Sequence, residues 1–145
     1  MTKLPQCFIW DIDCTISHKT NRTAYDYYKV GSDEVDKPMQ MVYKALKLAN
    51  PDTYFFFITG REDYCVKQTE HWLGTNGFQH QGLFMRATGD RQPSANLKLK
   101  LFREFIANKY EVIAVFEDEE RCVKMYRELL GLKVLQPQDG PDKTR

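Results

Sequence analysis

The sequence predicts one α/β domain built on a doubly wound, mainly parallel sheet of five strands with helices on both faces. Short apolar runs alternate with amphipathic stretches along the chain, which is how parallel strands joined by covering helices read. Two of these runs, Tyr54-Phe55-Phe56-Phe57-Ile58 and Val112-Ile113-Ala114-Val115-Phe116, lack the polar alternation of a half-solvated strand, so they belong at the centre of the sheet. A third, Cys7-Phe8-Ile9-Trp10, ends in two carboxylates one residue apart, Asp11 and Asp13, at the strand end where open α/β sheets place their ligand sites. The chain has 145 residues, 42% of them hydrophobic. That is enough for one real core and too little for two ordinary domains.

The first strand, Phe8 to Trp10, delivers the acidic pair. Residues 17–37 fit neither the helical nor the strand period and carry Tyr25, Tyr27 and Tyr28 among polar residues, so they read as a flap or loop over the site. Pro38 near a helix start, with Met41, Val42, Ala45, Leu46 and Ala49 on one face, predicts the first long helix. Strands follow at Tyr54 to Ile58, Leu83 to Met85, Val112 to Phe116 and Lys133 to Leu135. Helices are expected from about Glu62 to Leu73, from about Asn96 to Asn108, and from about Glu119 to Leu130, the last ended by Gly131. Residues 137–145 combine Pro, Gly and charge and read as a frayed tail. The result is a Rossmann-like order of elements with neither internal repeat nor low-complexity segment.

A formal net charge of +1 removes any whole-molecule electrostatic argument for a nucleic-acid or membrane partner and leaves only local patches to argue from. Cys7, Cys14, Cys65 and Cys122 show no C-x-x-C spacing, and neither a signal peptide nor a long apolar span is apparent. The expectation is a reduced, cytoplasmic protein without structural zinc.

The strand ends carry polar groups of different kinds. The first ends in Asp11 and Asp13, the second in Thr59-Gly60-Arg61 and the fourth in Glu117-Asp118, while Lys98 lies near the start of the helix between the third and fourth strands. If these tips converge, they supply what a metal-assisted phosphoryl transfer requires. A phosphate monoester is anionic, so an attacking carboxylate is repelled unless a cation neutralises both; Mg²⁺ held by Asp11, Asp13, Glu117 and Asp118 would do this. Asp11 would be the nucleophile, giving an aspartyl-phosphate. Asp13 would protonate the leaving oxygen and then activate water. Thr59 and Lys98 would hold the phosphoryl oxygens as charge shifts in the transition state.

In that order, Asp11-Ile12-Asp13-Cys14-Thr15, Ile58-Thr59-Gly60, Lys98 and Phe116-Glu117-Asp118 resemble the four motifs of the haloacid dehalogenase superfamily of phosphatases. Within it, the chain looks most like the 3′-phosphatase domain of phage-type polynucleotide kinase-phosphatases, over roughly Phe8 to Gln136. Arg22-Thr23-Ala24-Tyr25-Asp26, Thr59-Gly60-Arg61-Glu62 and Cys122-Val123-Lys124-Met125-Tyr126 share in the likeness. The resemblance implies that Arg22 and Arg61 contribute to substrate binding. No kinase-type G-x-x-x-x-G-K-[ST] loop is present, so this would be the phosphatase half standing alone, which leaves open a separate kinase or ligase partner. Two positions depart from the family. Glycine usually follows the second aspartate, and here it is Cys14, so the turn must tolerate a Cβ. An acidic residue usually stands four positions before the lysine, and here it is Ser94, which leaves Lys100 open as a substitute for Lys98. There is no room for the full cap domain of superfamily members that act on small metabolites. An open site suits a substrate that covers it, such as a polynucleotide end whose bases could stack on Tyr25, Tyr27 or Tyr28, with Lys19, Arg22, Arg61, Arg86, Arg91, Lys98 and Lys100 as a positive rim.

Plainer readings exist for most of these residues. Thr59-Gly60-Arg61 alone is a strand-to-helix turn with a capping threonine. Glu119 and Glu120 are acids favoured at a helix N-terminus, and the three tyrosines read as flap packing ahead of base platforms. The alternatives to a polynucleotide 3′-phosphatase are a nucleotide monophosphatase and, from another class, a phospho-accepting receiver-like signalling module. A receiver places its phospho-acceptor after the third strand, where this chain has Arg86 and no aspartate.

Overall fold

A computed structural model describes residues 3–137; from residue 138 onward the predicted tail lies outside the described residues. Strand β1 (Gln6–Trp10) is followed by a small antiparallel pair, β2 (Ser17–His18) and β3 (Glu34–Val35), and then by α1 (Lys37–Ala49). The rest of the chain alternates: β4 (Tyr54–Glu62), α2 (Val66–Thr75), β5 (Gly82–Arg86), α3 (Ser94–Phe105), β6 (Glu111–Phe116), α4 (Glu120–Lys124) and β7 (Val134–Leu135). The main sheet has five strands in the order β5-β4-β1-β6-β7, all parallel. The chain winds outward from β1 in both directions, which is the doubly wound order expected of this pattern.

Strand periodicity sorts the core into two layers. Phe8, Trp10, Phe55, Phe57, Ala114 and Phe116 point to the face covered by α1 and α2 through Tyr43, Trp72 and Leu73. Cys7, Ile9, Phe56, Ile58 and Val115 point to the opposite face, covered by α3 and α4 through Leu97, Leu101, Phe102, Cys122 and Val123. Trp10 stacks on Phe116 with ring centroids 3.7 Å apart and sits against Tyr43 at 4.8 Å. Full burial of such aromatic side chains contributes about 1.5–3 kcal/mol each. The strand tips that carry the polar motifs are therefore fixed by a sheet packed on both sides.

Four sequence expectations change in detail. The stripe Met41, Val42, Ala45 and Ala49 of α1 faces outward, with Met41 and Leu48 among the most exposed large apolar residues; the helix packs inward through Met39, Tyr43 and Leu46. Tyr43, fully buried against Trp10 and Phe57, determines which face is inside. Strand β4 continues past Ile58 to Glu62 with a register irregularity between Thr59 and Glu62, so α2 begins at Val66 after a short 3₁₀ turn at Asp63–Cys65. The segment 17–37 is not wholly irregular: β2 pairs with β3, and a 3₁₀ helix spans Tyr27–Ser32. The last helix ends as one π-helical turn, Met125–Leu129, before Gly131 turns the chain at φ 64°. Among the described residues, no helix is long and apolar enough to cross a membrane.

Candidate active site

The turn after β1 is built on one carbonyl. The amides of Thr15, Ile16 and Ser17 all donate to the carbonyl of Ile12 (3.1, 2.9 and 3.2 Å), and the Cys14 amide donates to Ser17 O at 2.8 Å. This closes the chain so tightly that Cys14 takes φ 64°. That left-handed conformation explains why glycine suits the position. The turn projects Asp11 and Asp13 from the strand tip, and it returns the Thr15 hydroxyl to within 3.1 Å of Asp11 Oδ2 and 3.2 Å of Asp118 Oδ1.

Asp11 is 5% exposed and is held from both sides. Lys98, reaching from the second turn of α3, donates from Nζ to Asp11 Oδ1 at 2.9 Å and to Glu117 Oε1 at 2.5 Å. Lys98 thus takes the position next to Asp11, whereas Lys100 is exposed on the helix. The two carboxylates orient the ammonium without the acidic residue that Ser94 replaces. Burial alone would favour loss of the lysine proton, but the negative charges of Asp11 and Glu117 outweigh it and push its pKa well above the ordinary range. Burial, with the Asp11 charge beside it, raises the pKa of Glu117.

Asp11, Glu117 and Asp118 offer carboxylate oxygens that all lie within 4.8 Å of one another. An all-oxygen, anionic donor set of this kind fits a hard divalent cation, Mg²⁺ included. Asp13 turns elsewhere. Its carboxylate receives Arg61 Nε at 3.1 Å and Arg61 Nη2 at 2.9 Å, and Arg22 Nη2 at 3.0 Å. Burial acts to raise its pKa, yet Arg61 and then Arg22 overcome this and hold it below the usual aspartate range.

Arg22 and Arg61 therefore sit deeper than a solvated rim would place them, each with a fully buried side chain. Their second anchor is Asp33, which sequence reasoning did not single out. Arg22 clasps it with Nε and Nη2, both at 2.8 Å, and Arg61 Nη2 reaches it at 3.0 Å. Arg61 also donates to Thr69 Oγ1 at 3.1 Å. Two cations and two anions thus close a ring between the β1 tip, the β4 tip and the segment 17–37. The only sequence cue to Asp33 is indirect: two arginines beside a sheet tip need more counter-charge than Asp13 supplies.

Thr59 is fully buried at the β4 tip, and its hydroxyl accepts from the Arg61 amide at 3.2 Å. The cleft wall at that tip is formed by Gly60 instead. Glu119 caps α4 by accepting from the Cys122 amide at 2.9 Å. Glu120 lies in the first turn of that helix. Arg86 donates to the carbonyls of Gly60, Asp90 and Gln92 and so fastens the loop after β5. A cleft of about 500 Å³ opens over these groups, with Asp11, Asp13 and Lys98 on its floor and Lys19, Tyr25, Arg91 and Arg121 around its walls.

Comparison with known proteins gives a consistent answer. Residues 5–141 match the family model of the polynucleotide kinase PNKP phosphatase domain. The chain is 35% identical over 129 residues to a protein of Autographa californica nuclear polyhedrosis virus assigned as a bifunctional polynucleotide kinase/RNA ligase, covering 88% of this chain and 18% of that protein. It is 30% identical to a chain of the Pnkp1/Rnl/Hen1 RNA repair complex, with a TM-score of 0.87 over 92% of this chain and 42% of that one. A second structure of a Pnkp1/Rnl/Hen1 complex aligns with a TM-score of 0.90 at 30% identity, covering 97% and 48%. The chain therefore spans less than half the length of each of these relatives.

Proposed function

The chain belongs to the polynucleotide kinase phosphatase-domain family within the haloacid dehalogenase phosphatases, and from that premise we propose that it is a Mg²⁺-dependent polynucleotide 3′-phosphatase working through an aspartyl-phosphate. The observation that carries the reading is the pairing of Asp11, oriented by Lys98 and Thr15, with Asp13 on the floor of one cleft.

Asp11 attacks phosphorus, and the bond to the 3′ oxygen breaks as a new bond to the carboxylate oxygen forms. Lys98 and Thr15 fix the attacking carboxylate in place. As an ammonium beside the nucleophile, Lys98 also opposes the charge repulsion between carboxylate and phosphate. Thr59, buried in the neighbouring strand, holds the turn there through the Arg61 amide and leaves Gly60 to face the phosphoryl group. Arg22 and Arg61 act on the substrate's phosphate through Asp13, whose charge they balance from buried positions. Held by Arg61, Asp13 begins as an anion; a phosphate dianion arriving beside it disfavours that charge, so Asp13 takes up a proton and can pass it to the departing 3′ oxygen. In the second step Asp13 withdraws a proton from water, which attacks the aspartyl-phosphate and releases inorganic phosphate. Asp11, Glu117 and Asp118 would hold a Mg²⁺, which when bound would neutralise the phosphate and the attacking carboxylate together. A kinase or ligase acting on the same ends is the partner this reading implies.

The test is phosphate release from a 3′-phosphorylated oligonucleotide by the wild type and by Asp11→Asn, with 5′-phosphorylated oligonucleotide and 3′-mononucleotide in parallel. Release should depend on Mg²⁺, favour the 3′-phosphorylated oligonucleotide and vanish in the variant. Undiminished release by Asp11→Asn would remove Asp11 from the nucleophile's role. Preference for the mononucleotide would replace the polynucleotide reading with that of a nucleotide monophosphatase.

A further inference from the structure

The cleft extends well beyond the groups that meet a phosphate, and its lip has a composition of its own. Tyr25 lies there with 82% of its surface exposed, and the exposed residues Arg91 and Arg121 line the same cleft. The other two tyrosines of the segment pack on Tyr64, and Tyr28, although 69% exposed, does not line the cleft. Tyr27 is buried with its ring centroid 5.9 Å from Tyr64, and Tyr28 rests on the same ring at 4.9 Å. Among the described residues, no aromatic ring lies against Tyr25.

The backbone that presents Tyr25 is fixed on both sides. Arg22, three residues before it, is locked between Asp13 and Asp33. Tyr27, two residues after it, is buried, and the turn between them closes through the Asp26 amide on Thr23 O at 3.3 Å. Two acids on the same lip are engaged with backbone amides, Glu62 with that of Gly89 at 2.9 Å and Asp90 with that of Gln92 at 3.0 Å. A presented aromatic face in a cleft that also carries guanidinium groups is the combination that binds single-stranded nucleic acid through base stacking and backbone charge.

We propose that Tyr25 is a platform for a nucleobase of the substrate, with Arg91 and Arg121 taking the backbone phosphates that lead to it. The proposal deepens the phosphatase reading and rests on it for the position of the reacting phosphate. It makes Tyr25 a specificity residue: it discriminates a nucleotide end from a bare phosphate ester without touching the reacting atoms.

The experiment compares the wild type, Tyr25→Ala, Tyr25→Phe and Tyr25→Trp on a 3′-phosphorylated oligonucleotide and on p-nitrophenyl phosphate. A matched oligonucleotide carrying 2-aminopurine at its 3′-terminal nucleotide reports stacking by fluorescence quenching. Tyr25→Ala should lower kcat/KM for the oligonucleotide about 5- to 150-fold, through KM, as the loss of one base–aromatic stack does. It should leave p-nitrophenyl phosphate turnover unchanged and abolish the quench, while both aromatic variants keep activity and quench. Equal losses on the two substrates, or an oligonucleotide rate and quench untouched in Tyr25→Ala, would overturn the platform. If no oligonucleotide is hydrolysed by any form, the phosphatase reading fails, and the quench still decides the role of Tyr25.

Discussion

Replacing Asp33 by Asn removes one negative charge from a set made of two buried arginines, buried Asp33 and partly exposed Asp13, and leaves a buried guanidinium without its counter-ion. Asp33 accepts three charge-assisted hydrogen bonds, at 2.8, 2.8 and 3.0 Å, and its side chain is fully buried. Breaking a buried pair by deleting one partner costs about 3–5 kcal/mol, because the remaining charge stays desolvated. A domain of 145 residues has an unfolding entropy of about 0.3 kcal/mol/K at its midpoint, so Tm should fall by about 10–16 °C. Thermal unfolding followed by circular dichroism reads this directly. The double variant Asp33→Asn/Arg22→Met removes the orphaned cation as well and should recover more than half of the loss, since Arg61 and Asp13 then balance alone. A fall of less than about 3 °C in the single variant, or no recovery in the double one, would refute the reasoning that these four charges form one compensated unit.

Two further outcomes follow from the same geometry. If Asp11, Glu117 and Asp118 hold the divalent cation, MgCl₂ should raise Tm relative to KCl of equal ionic strength, by about 2.7 kcal/mol of stability at a hundredfold excess over Kd; an equal rise in Asp118→Asn would argue against that carboxylate as a ligand. Cys14→Gly should leave stability unchanged or raise it by up to about 1 kcal/mol, because relief of the left-handed backbone cost outweighs the extra freedom of glycine in the unfolded chain. Chemical denaturation measures the difference, and a clear destabilisation would mean that the Cys14 side chain contributes contacts that offset its strain.

The parts of the fold that could be read from sequence are those where one interaction dominates. Phe55-Phe56-Phe57-Ile58 has no polar side and can only be a covered strand, and the acidic pair after Trp10 can only be tolerated at a strand tip. The outward stripe of α1 could not be read, because Met41, Val42 and Ala45 are as apolar as Met39, Tyr43 and Leu46 and periodicity alone cannot rank two apolar faces. At the site, Asp11, Lys98 and Glu117 meet as their order along the chain predicts. Asp33 and the depth of Arg22 and Arg61 were beyond reach, since they follow from how an irregular segment docks on the sheet and no spacing encodes that. Ser94 illustrates the same limit from the other side. Its lack of charge unsettles the lysine assignment on paper, whereas two carboxylates from other strands orient Lys98 in the folded chain.

The ring of charges that joins Asp13 and Arg61 to Arg22 and Asp33 also determines how molecules pass through the cleft. Lifting the segment 17–37 away would separate Arg22 from Asp13 and Asp33 from Arg61, and would strip the Trp72 Nε1–H from the Asp33 carbonyl, a 2.9 Å bond. These contacts fasten the segment to the β1 and β4 tips and to α2 as one wall of the cleft. Substrate that enters past Tyr25 therefore meets a wall to which this segment contributes Lys19, Ala24, Tyr25 and Tyr27.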